Sequence, residues 1–279
     1  MQGLKIEDIA IFVCTCKKNK DRANTIKETW AKRVPDIHYM TDEDTNELPN
    51  AVNLGPINYN QLSLKSWEIW KFAYKKYNNK KKWFLKIDDD SYLFLNNLVK
   101  TLSKYDYTKP WYMGDYDDWK KKIRFKPDEI LAYEQTFGER LGDGYWIGGG
   151  SGIVLSQDSL KQLVHSKNII KIVTSGEDIW LAICLKRINI YPTHLEGFYH
   201  YPDIIDFMDF GNLISVSTLN SSRIRLIDKV KNRISFYFTY YRKPAIKWLW
   251  KNVKPIVWSA FKGIKKIKVS LKQIIKRIP

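Results

Sequence analysis

Trp83-Phe84-Leu85-Lys86-Ile87 runs directly into Asp88-Asp89-Asp90, and this stretch decides the fold class. Its aromatic and β-branched residues predict a core strand. Three adjacent carboxylates at the carboxyl end of such a strand repel one another, so they are costly unless a cation or hydrogen-bond donors neutralise them. Alternate residues of a strand point the same way, which lets Asp88 and Asp90 address one ligand. In open α/β sheets ligands bind beyond the carboxyl ends of strands, where the triplet falls. The plain alternative is a solvated acidic turn that caps the following helix.

Upstream, Ile9-Ala10-Ile11-Phe12-Val13-Cys14 reads as a second strand buried on both faces, as in a parallel sheet. A basic loop leads into a helix over Arg22 to Lys32 with Asp21 as its cap, followed by a strand around Ile37-His38-Tyr39-Met40. From Gln61 to Tyr77 the residues Leu64, Trp67, Trp70, Tyr74 and Tyr77 recur every three or four positions and predict a long amphipathic helix. Downstream, Tyr145-Trp146-Ile147 meets the glycine run Gly148-Gly149-Gly150-Ser151-Gly152. A helix follows from Ser156 to about His165, and another starts near Glu177-Asp178 with Ile179, Ala182, Ile183 and Ile188 inward. Strands alternating with helices predict an α/β fold with a mostly parallel sheet.

Of 279 residues, 47 are Lys or Arg and 30 are Asp or Glu, for a net charge of +17. Ser221 to Pro279 holds 17 of the basic residues and a single acid, Asp228, so a body of charge +1 bears a tail of +16. With 44% hydrophobic and 14% aromatic residues the chain is globular, not disordered, and 14 Gly with 10 Pro exclude a collagen-like sequence. The expected division is a body over residues 1–220 and a basic helical tail over 221–279.

Cys14 and Cys16 alternate along one run and Cys184 lies in an apolar one, so all three are expected to be reduced and to serve packing, which fits a reducing compartment. Glu7 and Asp8 stand where a signal peptide would carry Lys or Arg, and no stretch reaches the ~20 apolar residues of a membrane span.

Carboxylate oxygens at a strand end suit Mg²⁺ or Mn²⁺, which commonly bridges nucleotide phosphates. The glycine run lacks both the Lys of a phosphate loop and the spacing of a dinucleotide fingerprint, and alone it reads as a tight strand-to-helix connection. Glu177-Asp178 after Gly176 reads alone as a helix cap. His38, His165 and His194 read as ordinary surface or core groups.

Taken in order, several segments resemble the inverting β1,3-glycosyltransferases of glycosyltransferase family 31, which include Fringe and the core 1 β1,3-galactosyltransferase. These are "RANTIKETW" (Arg22 to Trp30), "YNQLSLKS" (Tyr59 to Ser66), "FLKIDDDSYL" (Phe84 to Leu93), "GGGSGIVLS" (Gly148 to Ser156) and Glu177-Asp178-Ile179. The resemblance spans about residues 9 to 205. It implies the nucleotide-sugar fold called GT-A, a UDP-sugar donor, and Mn²⁺ or Mg²⁺.

By the same resemblance Asp90 coordinates the metal, with Asp88 as a further metal ligand, and Asp88 or Asp89 helps to hold the donor's ribose and the metal's waters. Asp178 is the general base with Glu177 as the fallback, and His200 in "GFYHYP" is the histidine metal ligand. Thr15, Arg22 and Lys65 fall on the donor side. Tyr145, Trp146, Gly149 and Gly150 are placed on the acceptor side, where the two aromatics either stack on a sugar face or pack beside the glycine turn.

The chain departs from that family in its basic tail. From Ile256 onward Val257, Phe261, Ile264, Ile267, Leu271, Ile274 and Ile278 follow helical spacing, with Lys262, Lys265, Lys266, Lys272 and Lys276 between them. This pattern fits an in-plane helix on an anionic membrane surface over residues 240–279, and hence an enzyme peripheral on the cytosolic face that glycosylates a glycan or lipid-linked acceptor. A nucleic-acid-binding protein using the aromatic basic tail leaves the near-neutral body unexplained, which argues against nucleic acid as a partner. A metal-dependent nucleotide-sugar hydrolase is the third reading.

Overall fold

The computed structural model describes residues 3–117, 131, 134–138, 146–167, 169, 171–199 and 212–229. Its elements are β1 (Ile9–Cys14), α1 (Lys20–Glu28), β2 (Ile37–Thr41), β3 (Ala51–Asn53), α2 (Leu62–Tyr77), β4 (Trp83–Asp88), β5 (Tyr92–Leu93), α3 (Leu95–Leu102), β6 (Tyr112–Gly114), β7 (Tyr116–Asp117), β8 (Trp146–Ile147), β9 (Ile153–Ser156), α4 (Gln157–His165), α5 (Glu177–Lys186), β10 (Pro192–His194), β11 (Phe198–Tyr199) and β12 (Ser215–Val216).

A seven-stranded sheet runs in the order β10-β6-β9-β4-β1-β2-β3. Six strands share one direction, and β9 alone lies antiparallel between β4 and β6. This is the mostly parallel α/β sheet that the alternation of strands and helices predicted. Direction is invisible in a run such as Ile153 to Ser156, because burial on both faces gives the same apolar string either way. β1 and β4 pair in the centre with Cys14 opposite Asp88, so the loops leaving both strands open onto the same edge.

Ile9 to Val13 and Trp83 to Ile87 are all buried, which accounts for their unbroken apolar character. α2 and α4 pack together on one side of the sheet, and α5 joins them, with Trp67 edge-on to Trp180 at 6.2 Å between ring centres. The buried stripe of α2 is Ser66, Ile69, Trp70, Ala73 and Tyr77, whereas Leu64 is exposed. The periodicity had singled out Leu64 by its apolarity. The stripe instead recurs at the spacing of one helix face and includes the small residues Ser66 and Ala73.

The first helix is shorter than expected. α1 ends at Glu28, where Thr29 donates its hydroxyl to the Thr25 carbonyl at 2.7 Å, and Trp30 then turns into the core. Asp21 sits in its first turn while Asn19 occupies the capping position, because a 3₁₀ turn over Lys17–Asn19 leads into the helix. The three cysteines form no disulfide.

Residues up to Asp228 form one compact unit. Its helical residues 221–228 bury Ile224 and Ile227, and Asp228 accepts a hydrogen bond from the Tyr92 hydroxyl at 2.8 Å. Among the described residues no helix is long and apolar enough to cross a membrane. The proposed membrane segment, residues 240–279, lies outside the described residues, as do His200 and Tyr145.

Candidate active site

The triplet begins at the last residue of β4 and continues into the turn beyond it, and its three carboxylates part company there. Asp89 is buried. It accepts from the Thr15 hydroxyl at 2.7 Å and the Asn19 amide at 3.5 Å, and Arg22 stands 3.6 Å from it and 3.8 Å from Asp90. Burial pushes the Asp89 carboxyl up to about 7, with Asp88 and Asp90 adding to the effect and the Thr15 hydrogen bond and Arg22 opposing it. At 3% exposure Asp89 turns its carboxylate inward to Thr15 and Asn19 and acts as an internal brace. Asp88 and Asp90 are the two partly exposed members, although only Asp88 belongs to the strand.

The backbone of the triplet is fixed from several directions. The Leu219 amide donates to the Asp90 carbonyl at 2.8 Å, the Trp30 indole donates to the Ser91 carbonyl at 3.0 Å, and the Ser91 hydroxyl donates to the Gly150 carbonyl at 2.7 Å. Gly150 thus holds the turn through its carbonyl. Gly152 has φ +121°, a left-handed conformation that disfavours any side chain.

Lys86, in the middle of β4, was not singled out by sequence reasoning. It is fully buried, yet its ammonium donates to Asp88 Oδ1 at 2.8 Å and to Glu177 Oε1. Burial alone would lower its pKa, but the charges of Asp88 and Glu177 outweigh that and raise it well above the usual lysine range. Burial pushes the Glu177 carboxyl up, with Lys86 pulling the other way. The one signal available was a lysine inside an otherwise apolar strand.

Glu177 and Asp178 open α5, where carboxylates meet the positive end of the helix. Glu177 turns inward onto Lys86. Asp178 is part-exposed, and one of its oxygens accepts from the Ile179 amide at 2.9 Å. Gly149 lies against both, since a Cβ there would stand 2.8 Å from Glu177 Oε1 and 3.7 Å from Asp178 Cβ. The two acidic motifs, remote in sequence, therefore meet across the glycine turn.

Lys65 is buried on α2 and donates its ammonium to the Thr15 carbonyl, so it holds the loop after β1. Trp146 is 1% exposed and packs in the core, which leaves its ring no open face for a sugar. The aromatic beside a glycine turn has here been used for packing. Among the described residues no group of three His, Cys, Asp or Glu side chains is arranged to hold a metal. Mg²⁺-type sites commonly take one or two carboxylates and complete their shell with water and substrate phosphates, and Asp88 with Asp90 fits that donor set.

A family model described as Fringe-like matches residues 4–238. The chain belongs to this Fringe-like family. Among its relatives are a β1,3-glucosyltransferase of Homo sapiens, 27% identical over 208 residues that cover 73% of this chain and 37% of that protein, and the β1,3-N-acetylglucosaminyltransferase lunatic fringe of Danio rerio, 28% identical over 224 residues that cover 70% and 56%. The Fringe-like chain thus spans between about a third and three-fifths of the length of these curated relatives. Among solved structures, a glycosyltransferase involved in glycosylation of the major capsid of PBCV-1 matches with a TM-score of 0.45 at 15% identity, covering 80% of this chain and 98% of that one.

Proposed function

We propose that this Fringe-like protein is a metal-dependent inverting glycosyltransferase that moves a hexose or N-acetylhexosamine from a UDP-sugar to a hydroxyl of a glycan or lipid-linked acceptor, in a β1,3 linkage. The observation that carries it is the Lys86 ammonium bonded both to Asp88 of the acidic triplet and to Glu177, the neighbour of Asp178 at the start of α5. Family membership supports the reaction class, and relatives that move different sugars leave the sugar to a donor screen.

Asp88 and Asp90 would hold Mn²⁺ or Mg²⁺, which when bound supplies positive charge to the departing diphosphate. The chain's own residues do the rest. Asp178 accepts the proton of the acceptor hydroxyl as that oxygen bonds to the anomeric carbon and the bond from that carbon to the diphosphate breaks. Arg22, beside Asp89 and Asp90, offers a guanidinium to phosphate. The outcome is one displacement with inversion.

UDP release measured for each common UDP-sugar with Mn²⁺, for wild type and for Asp90→Ala and Asp178→Ala, tests this reading. Metal-dependent release from one donor, lost in both variants, is expected. Release from none, with no UDP binding by calorimetry, contradicts it.

The tail belongs to the same proposal. Lys spaced among apolar residues over 240–279 supports attachment to an anionic membrane surface on its cytosolic side. Flotation on anionic vesicles should be lost when residues 240–279 are removed, and equal flotation of both forms would refute the attachment.

A further inference from the structure

The Lys86 ammonium is a shared partner of two carboxylates that belong to different parts of the site. Asp88 lies two residues on along the same strand, and Glu177 comes from the start of α5, 91 residues away in sequence. A fully buried ammonium is costly unless paired, so the centre of the sheet, between Phe12 of β1 and Ile153 of β9, accommodates Lys86 through these partners. Gly149 leaves room for the partner carboxylate, since a Cβ there would stand 2.8 Å from Glu177 Oε1.

The consequence reaches Asp178. Successive residues of a helix are about 100° apart, so fixing Glu177 inward on Lys86 fixes the rotation of the first turn of α5 and turns Asp178 out. A counter-charge for Glu177 alone would not need the second bond to Asp88.

We propose that Lys86 is a positioning residue for the transfer reaction: its ammonium clamps Asp88 to Glu177, and so sets the donor-side carboxylates and the Asp178 base at a fixed separation. This rests on the glycosyltransferase reading above. Lys86 touches no substrate. It acts through the two carboxylates it holds.

The test uses the full chain and the double variant Lys86→Met/Glu177→Gln, which removes both charges of the inner pair and keeps their shapes. Mn²⁺ binding with UDP present is read by calorimetry, beside the thermal midpoint and the kcat and KM of transfer. The expected result is a thermal midpoint close to that of wild type, Mn²⁺ binding weakened by about 10–100-fold, as for residues that orient metal ligands, and a kcat lowered by about 100-fold with little change in acceptor KM. Wild-type Mn²⁺ binding and kcat in the double variant would overturn the proposal, leaving Lys86 a counter-charge. If that variant does not fold, Lys86→Arg keeps the charge but moves it, and wild-type Mn²⁺ binding there overturns the clamp in the same way. Absence of Mn²⁺ and UDP binding in wild type itself contradicts the glycosyltransferase reading, and the clamp falls with it.

Discussion

The Thr15 hydroxyl, just past β1, donates to the buried Asp89 carboxylate at 2.7 Å across 74 residues of sequence. This bond closes the ends of the two central strands on each other. Thr15→Val keeps the shape and leaves Asp89 short of a partner, so it should cost about 1–3 kcal/mol of stability, the usual price of an unsatisfied buried acceptor. Urea unfolding checks this, and an unchanged midpoint would mean that Asn19 and Arg22 suffice for Asp89.

Gly149→Ala places a methyl group 2.8 Å from Glu177 Oε1. Either α5 or the glycine turn must shift. The expected outcome is a destabilisation of about 1–3 kcal/mol, typical of overpacking, with a larger proportional fall in kcat than in donor affinity. Steady-state kinetics beside thermal unfolding separates the two effects.

Asp178→Asn removes the proposed proton acceptor while preserving shape and the hydrogen bond from the Ile179 amide. Transfer should fall by about 10²–10⁴-fold, with UDP binding within a few-fold of wild type. A variant that retains full activity would move the role of base to Glu177.

His38 gives the fold an acid-sensitive point away from the site. It stacks on Phe12 with ring centres 5.9 Å apart, and its ring nitrogens lie 2.7 Å from the Tyr77 hydroxyl and 3.2 Å from the Asn50 carbonyl. Burial lowers its pKa from 6.5 to about 4, with Lys76 adding to the effect and the Asn50 carbonyl and Asp36 opposing it. The folded value lies below the unfolded one, so the unfolded chain takes up the proton first as pH falls. The group costs nothing above pH 6.5 and destabilises increasingly between 6.5 and 4, by about 1–2 kcal/mol after allowance for solvent screening. His38→Gln should remove that part of the acid sensitivity, so its stability relative to wild type should improve as pH falls through this window. A difference independent of pH would mean that the fold leaves the His38 pKa at its unfolded value.

Much of this arrangement was legible in the chain. The strand over Trp83 to Ile87, the helix ending at Tyr77 and the helix opening at Glu177 each carry a local pattern of apolar spacing or capping that survives in the structure. What was not legible depends on distant partners. Lys86 and Lys65 break an apolar pattern locally, and their burial draws on distant partners: Glu177, 91 residues away, besides Asp88 for Lys86, and the Thr15 carbonyl, 50 residues away, for Lys65. Asp89 is set apart from its neighbours by burial and by its bonds from Thr15 and Asn19, both at least 70 residues away. Trp146 carries the same aromatic ring whether it packs or stacks, and burial decides between them.

The central claim is a single displacement assisted by Asp178, and the configuration of the product tests it most directly. With an α-linked UDP-sugar, Mn²⁺ and a hydroxyl acceptor, proton NMR of the product taken before any anomeric equilibration should show a β linkage, formed by wild type and not by Asp178→Asn. A product with the α configuration of the donor would contradict the account, because a single attack on the anomeric carbon from the Asp178 side inverts it.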